Sequence, residues 1–359
     1  MTRRFLVSAS VLTVLIAVGL LATVPIAGQR PSAAAKTNGP AAKAYTPPRT
    51  PDGQPDLQGF WTNSTYTPLE RPKNVTKEFY TPEEAAKAER RAAESEFELA
   101  DPGTVADVHY DEAQFGLARS QSTFARNLRT SLIVDPPDGR IPPVTAEGQK
   151  RAAELAEARK RRSGRFDAVQ NMDFDDRCII MAGTPPPMLS PGYISNYQIV
   201  QAPGYVMILV ERIHDARIIP LDGRPHPPQD VRQWIGSSRG RWEGNTLVVE
   251  SRNFNSKRPG VGDGQMAGLA FRGASEDMRV TEWFTRVDAD TILYRFTVED
   301  ERTWARPWTA ELPMVKLQPQ GPLFEHACHE GNYGLYNTLS GARYEEKRAA
   351  EEAAKKTSK

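Results

Sequence analysis

The chain has 359 residues, enough for one large domain or two modest ones with a sizeable core. Its 39% hydrophobic and 25% charged residues suit a soluble globular protein, and 46 basic residues balance 45 acidic ones. That balance excludes bulk electrostatic attraction to nucleic acid or to an anionic membrane surface.

Arg3 and Arg4 precede an uncharged run from Phe5 to Gly28. A positive start, an apolar stretch and then small residues form the layout of an export signal. The run is nearly long enough to span a bilayer. Pro25 falls in the minus-three slot if Ala27 is the last residue removed, which makes a poor cleavage site. Residues 1–28 are therefore expected to be a cleaved signal peptide, with an uncleaved inner-membrane anchor over residues 5–27 as the alternative. The first reading puts the protein in the periplasm or outside the cell; the second attaches it to a membrane.

Residues 29–55 are rich in Pro, Ala and Gly with almost no large apolar side chain. Such a segment cannot bury enough surface to offset its ordering entropy, so it reads as a tether. "PDLQGFWTN" (55–63) brings the first aromatic pair and starts the folded part. From residue 56 to 165 the pattern is helical, polar and rich in loops, and this part is expected to pack on the β-rich domain C-terminal to it. Thr81, Pro82 and Glu84 spell a capping box with proline at the first helical position. A second helix begins at Thr145 and ends in Arg and Lys, which complement the helix dipole.

Over residues 166–343 the period changes to two. "YVMILVER" (205–212) reads as a strand buried on both faces. "RWEGNTLVVE" turns at Gly244-Asn245, a strong two-residue hairpin signal. A second hairpin turns at Asp288-Ala289-Asp290, and its return strand puts Ile292, Tyr294, Phe296 and Val298 on one face. Trp308, Ala310, Leu312 and Met314 alternate in the same way. "LFEHAC" reads as a last strand, and 344–359 as a charged tail. The fold class expected is α+β and mainly β: an antiparallel barrel or sandwich with a helical, polar N-terminal part.

Cys178 and Cys328 are the only cysteines, and an even count in an oxidising compartment predicts a disulfide. It closes a loop of 150 residues, worth about 5 kcal/mol in the chain-entropy model before strain is subtracted. It would also bring Asp175, Asp176 and Arg177 close to His329 and Glu330.

Four of the five histidines, His214, His226, His326 and His329, fall in the β half. The stretch 211–226 follows the most apolar strand and carries His214, Asp215, Arg217, Asp222, Arg224 and His226. Charged residues just past a buried strand sit at the rim of a sheet, where ligands commonly bind. Three readings are open. His329 and Glu330 with His214 or His226 have the right atoms for a metal, but no metal-ligand spacing is present, so no metal is assigned. His214 and His329, oriented by Asp215 and Glu330, have the residue types for hydrolase-type acid–base catalysis, without a nucleophile motif. The third reading is a small-molecule site at the barrel mouth, with Arg217, Asp222, Arg224, His226, Arg306, Trp308 and Asn332 binding the ligand. Binding leads, with a hydrolase or an envelope-anchored structural protein as alternatives. The sequence points to no particular cofactor.

The segments "PDLQGFW", "IHDARIIPLDGRPH", "SRGRWEGNTLVVES", "FTRVDADTILYRFTVED", "RPWTAELPM" and "ACHEGNYG" together resemble an uncharacterised family of predicted exported bacterial proteins. The resemblance runs from about residue 50 to 343 and implies export and a single shared fold. It implies no activity and no catalytic roles.

Overall fold

A computed structural model describes residues 45–96, 124–161, 166–172, 174, 176–180, 186–190, 195–255, 271, 274–317 and 321–357. The segment read as an export signal, most of the segment read as a tether, His109 and Asp175 lie outside the described residues. Among the described residues, no helix is long and apolar enough to cross a membrane.

Ten strands form one antiparallel sheet that curls into a nearly closed barrel. They are β1 (Gly59–Thr62), β2 (Ile133–Asp135), β3 (Asn196–Ala202), β4 (Tyr205–Val210), β5 (Ala216–Pro220), β6 (Ser237–Glu243), β7 (Thr246–Arg252), β8 (Arg279–Arg286), β9 (Thr291–Glu299) and β10 (Trp308–Lys316). The order around the barrel is β5-β4-β3-β1-β10-β9-β8-β7-β6, and β2 joins β10 beside β1. Among the described residues three α-helices accompany it: α1 (Pro82–Glu96), α2 (Ala146–Arg161) and α3 (Tyr333–Thr357).

Sequence patterning accounts for most of this. The hairpin at Gly244-Asn245 joins β6 to β7, and Gly244 takes a φ of 60°, the left-handed region such a turn requires. On β9, Ile292, Tyr294, Phe296 and Val298 all face the core, as do Trp308, Ala310, Leu312 and Met314 on β10. Each large side chain so buried contributes roughly 1.5–3 kcal/mol. The capping box forms: the Thr81 amide donates to Glu84 Oε2 at 2.8 Å and the Glu84 amide donates to Thr81 Oγ1 at 3.3 Å. Thr145 Oγ1 caps α2 by accepting from the Gly148 amide at 3.0 Å, and donates to the Arg302 carbonyl, fastening the helix to the barrel.

Several expectations need correction. The part read as helical, 56–165, supplies β1 and β2 to the sheet; both are too short for a visible alternation. β4 alternates rather than being buried on both faces: Val206, Ile208 and Val210 are buried, while Tyr205 is exposed. "LFEHAC" is irregular and not a strand, and α3 begins at Tyr333, well before the tail was placed. Trp283 lies on the outer face of β8, with Glu282 pointing inward beside it.

The largest correction concerns 211–226, read as one loop. It contains β5, so Asp215 and Asp222 sit at opposite ends of a strand about 13 Å long. Because all nine strands on the path pair antiparallel, its two edge strands, β5 and β6, run in the same direction. Parallel neighbours need a crossover connection. Residues 221–236 provide it, returning along the outside of β6 and β7. Arg239 Nε donates to the Pro225 carbonyl at 3.1 Å, and Asn253 Nδ2 to the Pro227 carbonyl at 3.0 Å.

No ladder joins β5 to β6, and side chains close this seam instead. Arg217 on β5 reaches across the interior. Its guanidinium donates to Ser238 Oγ on β6 at 3.2 Å, Ser251 Oγ on β7 at 3.3 Å, and both carboxylate oxygens of Glu282 on β8 at 3.1 and 2.5 Å. Arg217 and Glu282 side chains are 1% and 0% exposed. Tyr294 on β9 donates to Glu282 Oε1 at 2.8 Å, and its hydroxyl accepts the Met188 amide at 2.9 Å. Burial, then the Glu282 charge, push the Tyr294 hydroxyl well above its ordinary range, so it stays a donor. Asn63 Nδ2 donates to the Met188 carbonyl at 2.9 Å, fixing this segment over the polar layer.

Gly240 on β6 permits the approach. A Cβ there would sit 2.6 Å from Leu221 Cδ2 and 2.8 Å from Ile219 Cγ2. We expect Gly240→Val to destabilise the fold by about 1–3 kcal/mol in urea unfolding, through overpacking at the seam. An unchanged midpoint would show that β5 does not close against β6.

Candidate functional site

Two constellations lie at the barrel end where β4 leaves and β5 begins. The first is built around the disulfide. Cys178 and Cys328 are bonded, with Cα atoms 5.8 Å apart. Asn332 ties this bond to α3: its Oδ1 accepts the Leu335 amide at 3.1 Å as an N-cap, and its Nδ2 donates to the Asp176 carbonyl at 3.1 Å.

The disulfide brings residues 324–328 against the turn between β4 and β5. Glu211 clamps them: its carboxylate accepts Asn196 Nδ2 at 2.6 Å and the Phe324 amide at 3.1 Å. The Ile213 amide donates to His326 Nδ1 at 3.3 Å, and His214 Nδ1 lies 3.4 Å from the His326 carbonyl. Nδ1 of His326 can accept only when unprotonated, so this contact needs the neutral ring. Burial and then the Arg212 charge lower the His326 pKa, which agrees with that geometry. Asp215 beside it is raised by burial, with His214 opposing the shift. Ile213 and His214 hold φ of 59° and 48°, and Cys178 holds 54°. Left-handed non-glycine residues cost about 1–3 kcal/mol each, and they concentrate where the surroundings over-determine the backbone.

The second constellation is a cleft of about 480 Å3, lined by Pro227, Gln229, Arg252, Asn253, Glu276, Asp277, Met278 and Arg279. The end of β7, the start of β8 and the crossover build its walls. Next to it, His226 Nε2 lies 3.2 Å from Glu250 Oε1, and burial followed by the Arg252 charge lowers the His226 pKa.

The structure therefore separates the residues grouped at one rim from sequence. His214 meets His326, which sequence reasoning passed over although it stands two positions before Cys328, and Asp215 interacts with its neighbour His214. His329 and Glu330 are exposed on the turn before α3. Arg217 is inside the barrel rather than at its mouth, because β5 alternates and places it inward. Asp222 and Arg224 pair with each other at the opposite barrel end, where Arg224 also donates to the Tyr205 hydroxyl. Arg306 pairs with Asp135 at 2.7 Å. Trp308 is 0% exposed and packs against Trp304, Phe271 and Phe296, so it fills the core. Among the described residues, no three His, Cys, Asp or Glu side chains gather as a metal would need.

Comparison of the chain with protein-family models, with curated proteins and with solved structures finds no match. The functional reading rests on the geometry alone.

The titrating groups give a pH signature. His326 and His226 have folded pKa values below the ordinary 6.5, so their contributions are complete above pH 6.5 and fall as pH drops toward the lowered values. Asp215 is shifted the other way, above 3.8; its contribution is complete below pH 3.8 and lost as pH rises through the raised value. Urea unfolding between pH 5 and 8 should show the wild type weakening toward pH 5 and His326→Asn weakening less. Asp215→Asn should be more stable than wild type at pH 7. Identical pH slopes in wild type and His326→Asn would contradict the neutral-ring contact.

Proposed function

We propose that this is an exported protein that binds a small polar molecule in the cleft between the end of β7 and the start of β8. The observation that carries this reading is the cleft itself. At about 480 Å3 it lies within the ~300–1000 Å3 range of small-molecule sites, and it combines an apolar floor at Met278 and Pro227 with convergent polar side chains. The crossover strap forms one wall and the ends of β7 and β8 the other.

Two observations support export. The layout of residues 1–28 is that of a secretion signal. The Cys178–Cys328 bond belongs to an oxidising compartment such as the periplasm or the exterior.

Binding is favoured over hydrolysis because three of the four described histidines, His214, His226 and His326, are committed to structural partners. His214 meets a carbonyl, His326 accepts a backbone amide and His226 faces Glu250. Ser238 and Ser251, whose hydroxyls are buried inside the barrel, serve Arg217.

A thermal-shift screen of polar metabolites tests this. Ligands at 100 times their Kd should stabilise the wild type by about 2.7 kcal/mol and raise its Tm. Gln229→Trp, which fills the cleft from the exposed strap, should erase that rise while the unliganded Tm stays close to wild type. Hits that act equally on Gln229→Trp would place the site elsewhere.

A further inference from the structure

We infer that the ligand of this cleft carries an oxyanion, a carboxylate or a phosphate, held between Arg252 and Arg279; this rests on the cleft being the binding site. The argument comes from strand register. The β7–β8 ladder runs from Thr246 opposite Thr285 to Ser251 opposite Val280. One step further, the same register sets Arg252 opposite Arg279, on the same outer face. Directly opposed like charges on an antiparallel pair destabilise it. Two arginines set opposite each other in the lining of one cleft are therefore an arrangement that an anion would offset.

The protein supplies little of that anion itself. The cleft's own carboxylates are matched by other cations, Asp277 by Arg302 at 2.9 Å and Glu276 by Arg232 at 3.5 Å, and Asp277 also accepts a hydrogen bond from Gln229 Nε2 at 3.0 Å. Among the described residues Arg252 has only Glu250, at 3.8 Å, and Glu250 lies closer to His226 at 3.2 Å. The Arg252 Nε is buried without a hydrogen-bond acceptor. Glu299 stands opposite Arg279 on β9, yet among the described residues no ion pair within 4.0 Å joins Arg279 to any carboxylate. Among the described residues, Arg279 is left without a carboxylate and Arg252 with a distant, shared one, and a planar guanidinium fork matches a carboxylate or phosphate through paired N–H···O bonds.

The inference can be tested both without ligand and with it. In an anion-poor buffer of low ionic strength, Arg279→Gln should unfold at a higher temperature than the wild type, because the repulsion is gone. Inorganic phosphate, and separately succinate, titrated at constant ionic strength into the full chain, should raise the wild-type Tm. Each should bind Arg279→Gln at least tenfold more weakly, with Arg279→Lys between the two, since Lys keeps the charge and loses the fork. The arm that responds more strongly tells phosphate from carboxylate. An Arg279→Gln variant that is less stable than wild type at low salt, or that responds to both anions as the wild type does, overturns the inference. If instead metabolites that lose binding in Gln229→Trp are neutral and indifferent to Arg279→Gln, the cleft stands as the site and the anion assignment fails. If Gln229→Trp leaves an Arg279-dependent anion response intact, the anion site stands and the cleft reading fails.

Discussion

A barrel whose edge strands run parallel cannot be closed by extending its antiparallel ladder. The buried pair between Arg217 and Glu282 resolves that constraint, and the rest of the fold depends on it. Arg217 leaves β5, touches β6 and β7 through two serines, and ends on β8, so one side chain spans the whole seam. Removing two charges from water carries a penalty of several kcal/mol per ion, and attraction in the interior offsets it only with good geometry and satisfied neighbours. Here the geometry is a double contact, and Ser238, Ser251 and Tyr294 add hydrogen bonds around it, while Arg217 Nε is buried without an acceptor. Such a pair adds little net stability over apolar side chains, but losing one partner would leave an uncompensated charge in the core. It therefore specifies which strands meet.

From that closure the barrel end that carries the cleft follows. Parallel β5 and β6 force the crossover along the barrel wall, and the crossover becomes one side of the cleft. The same barrel end receives the C-terminal segment, which carries no ladder of its own. Glu211, the Ile213 amide and the disulfide hold it instead. The left-handed backbone at Ile213, His214 and Cys178 is concentrated where these two stretches are pressed together.

What the sequence made legible was whatever its local period and turn chemistry dictate. The Gly244-Asn245 hairpin, the inward faces of β9 and β10, the capped starts of α1 and α2 and the disulfide could all be read, since each is set by residues near one another or by a count of two cysteines. β5 could not. "ARIIP" is short, ends in proline and stands between charged residues, so Arg217 looked like a rim charge instead of a buried one. β1 and β2 are four and three residues long, below the length at which alternation is visible. Trp283 and Glu282 exchange the places that hydrophobicity alone assigns them, because the pleat of β8, fixed by Val280 and Phe284, puts every second residue outward. The candidate site was legible only in part. His226 lies beside the cleft, but Arg252 and Arg279 are distant in sequence, and only the β7–β8 register sets them opposite each other.

Hydrogen exchange of the Arg217→Met variant tests the central claim most directly. If the buried pair closes the seam, amide protection should fall in Ala216–Pro220 and Ser237–Glu243, while Thr291–Glu299 and Trp308–Lys316, far from the seam, remain protected as in the wild type. Protection lost evenly across all strands, or lost nowhere, would contradict it.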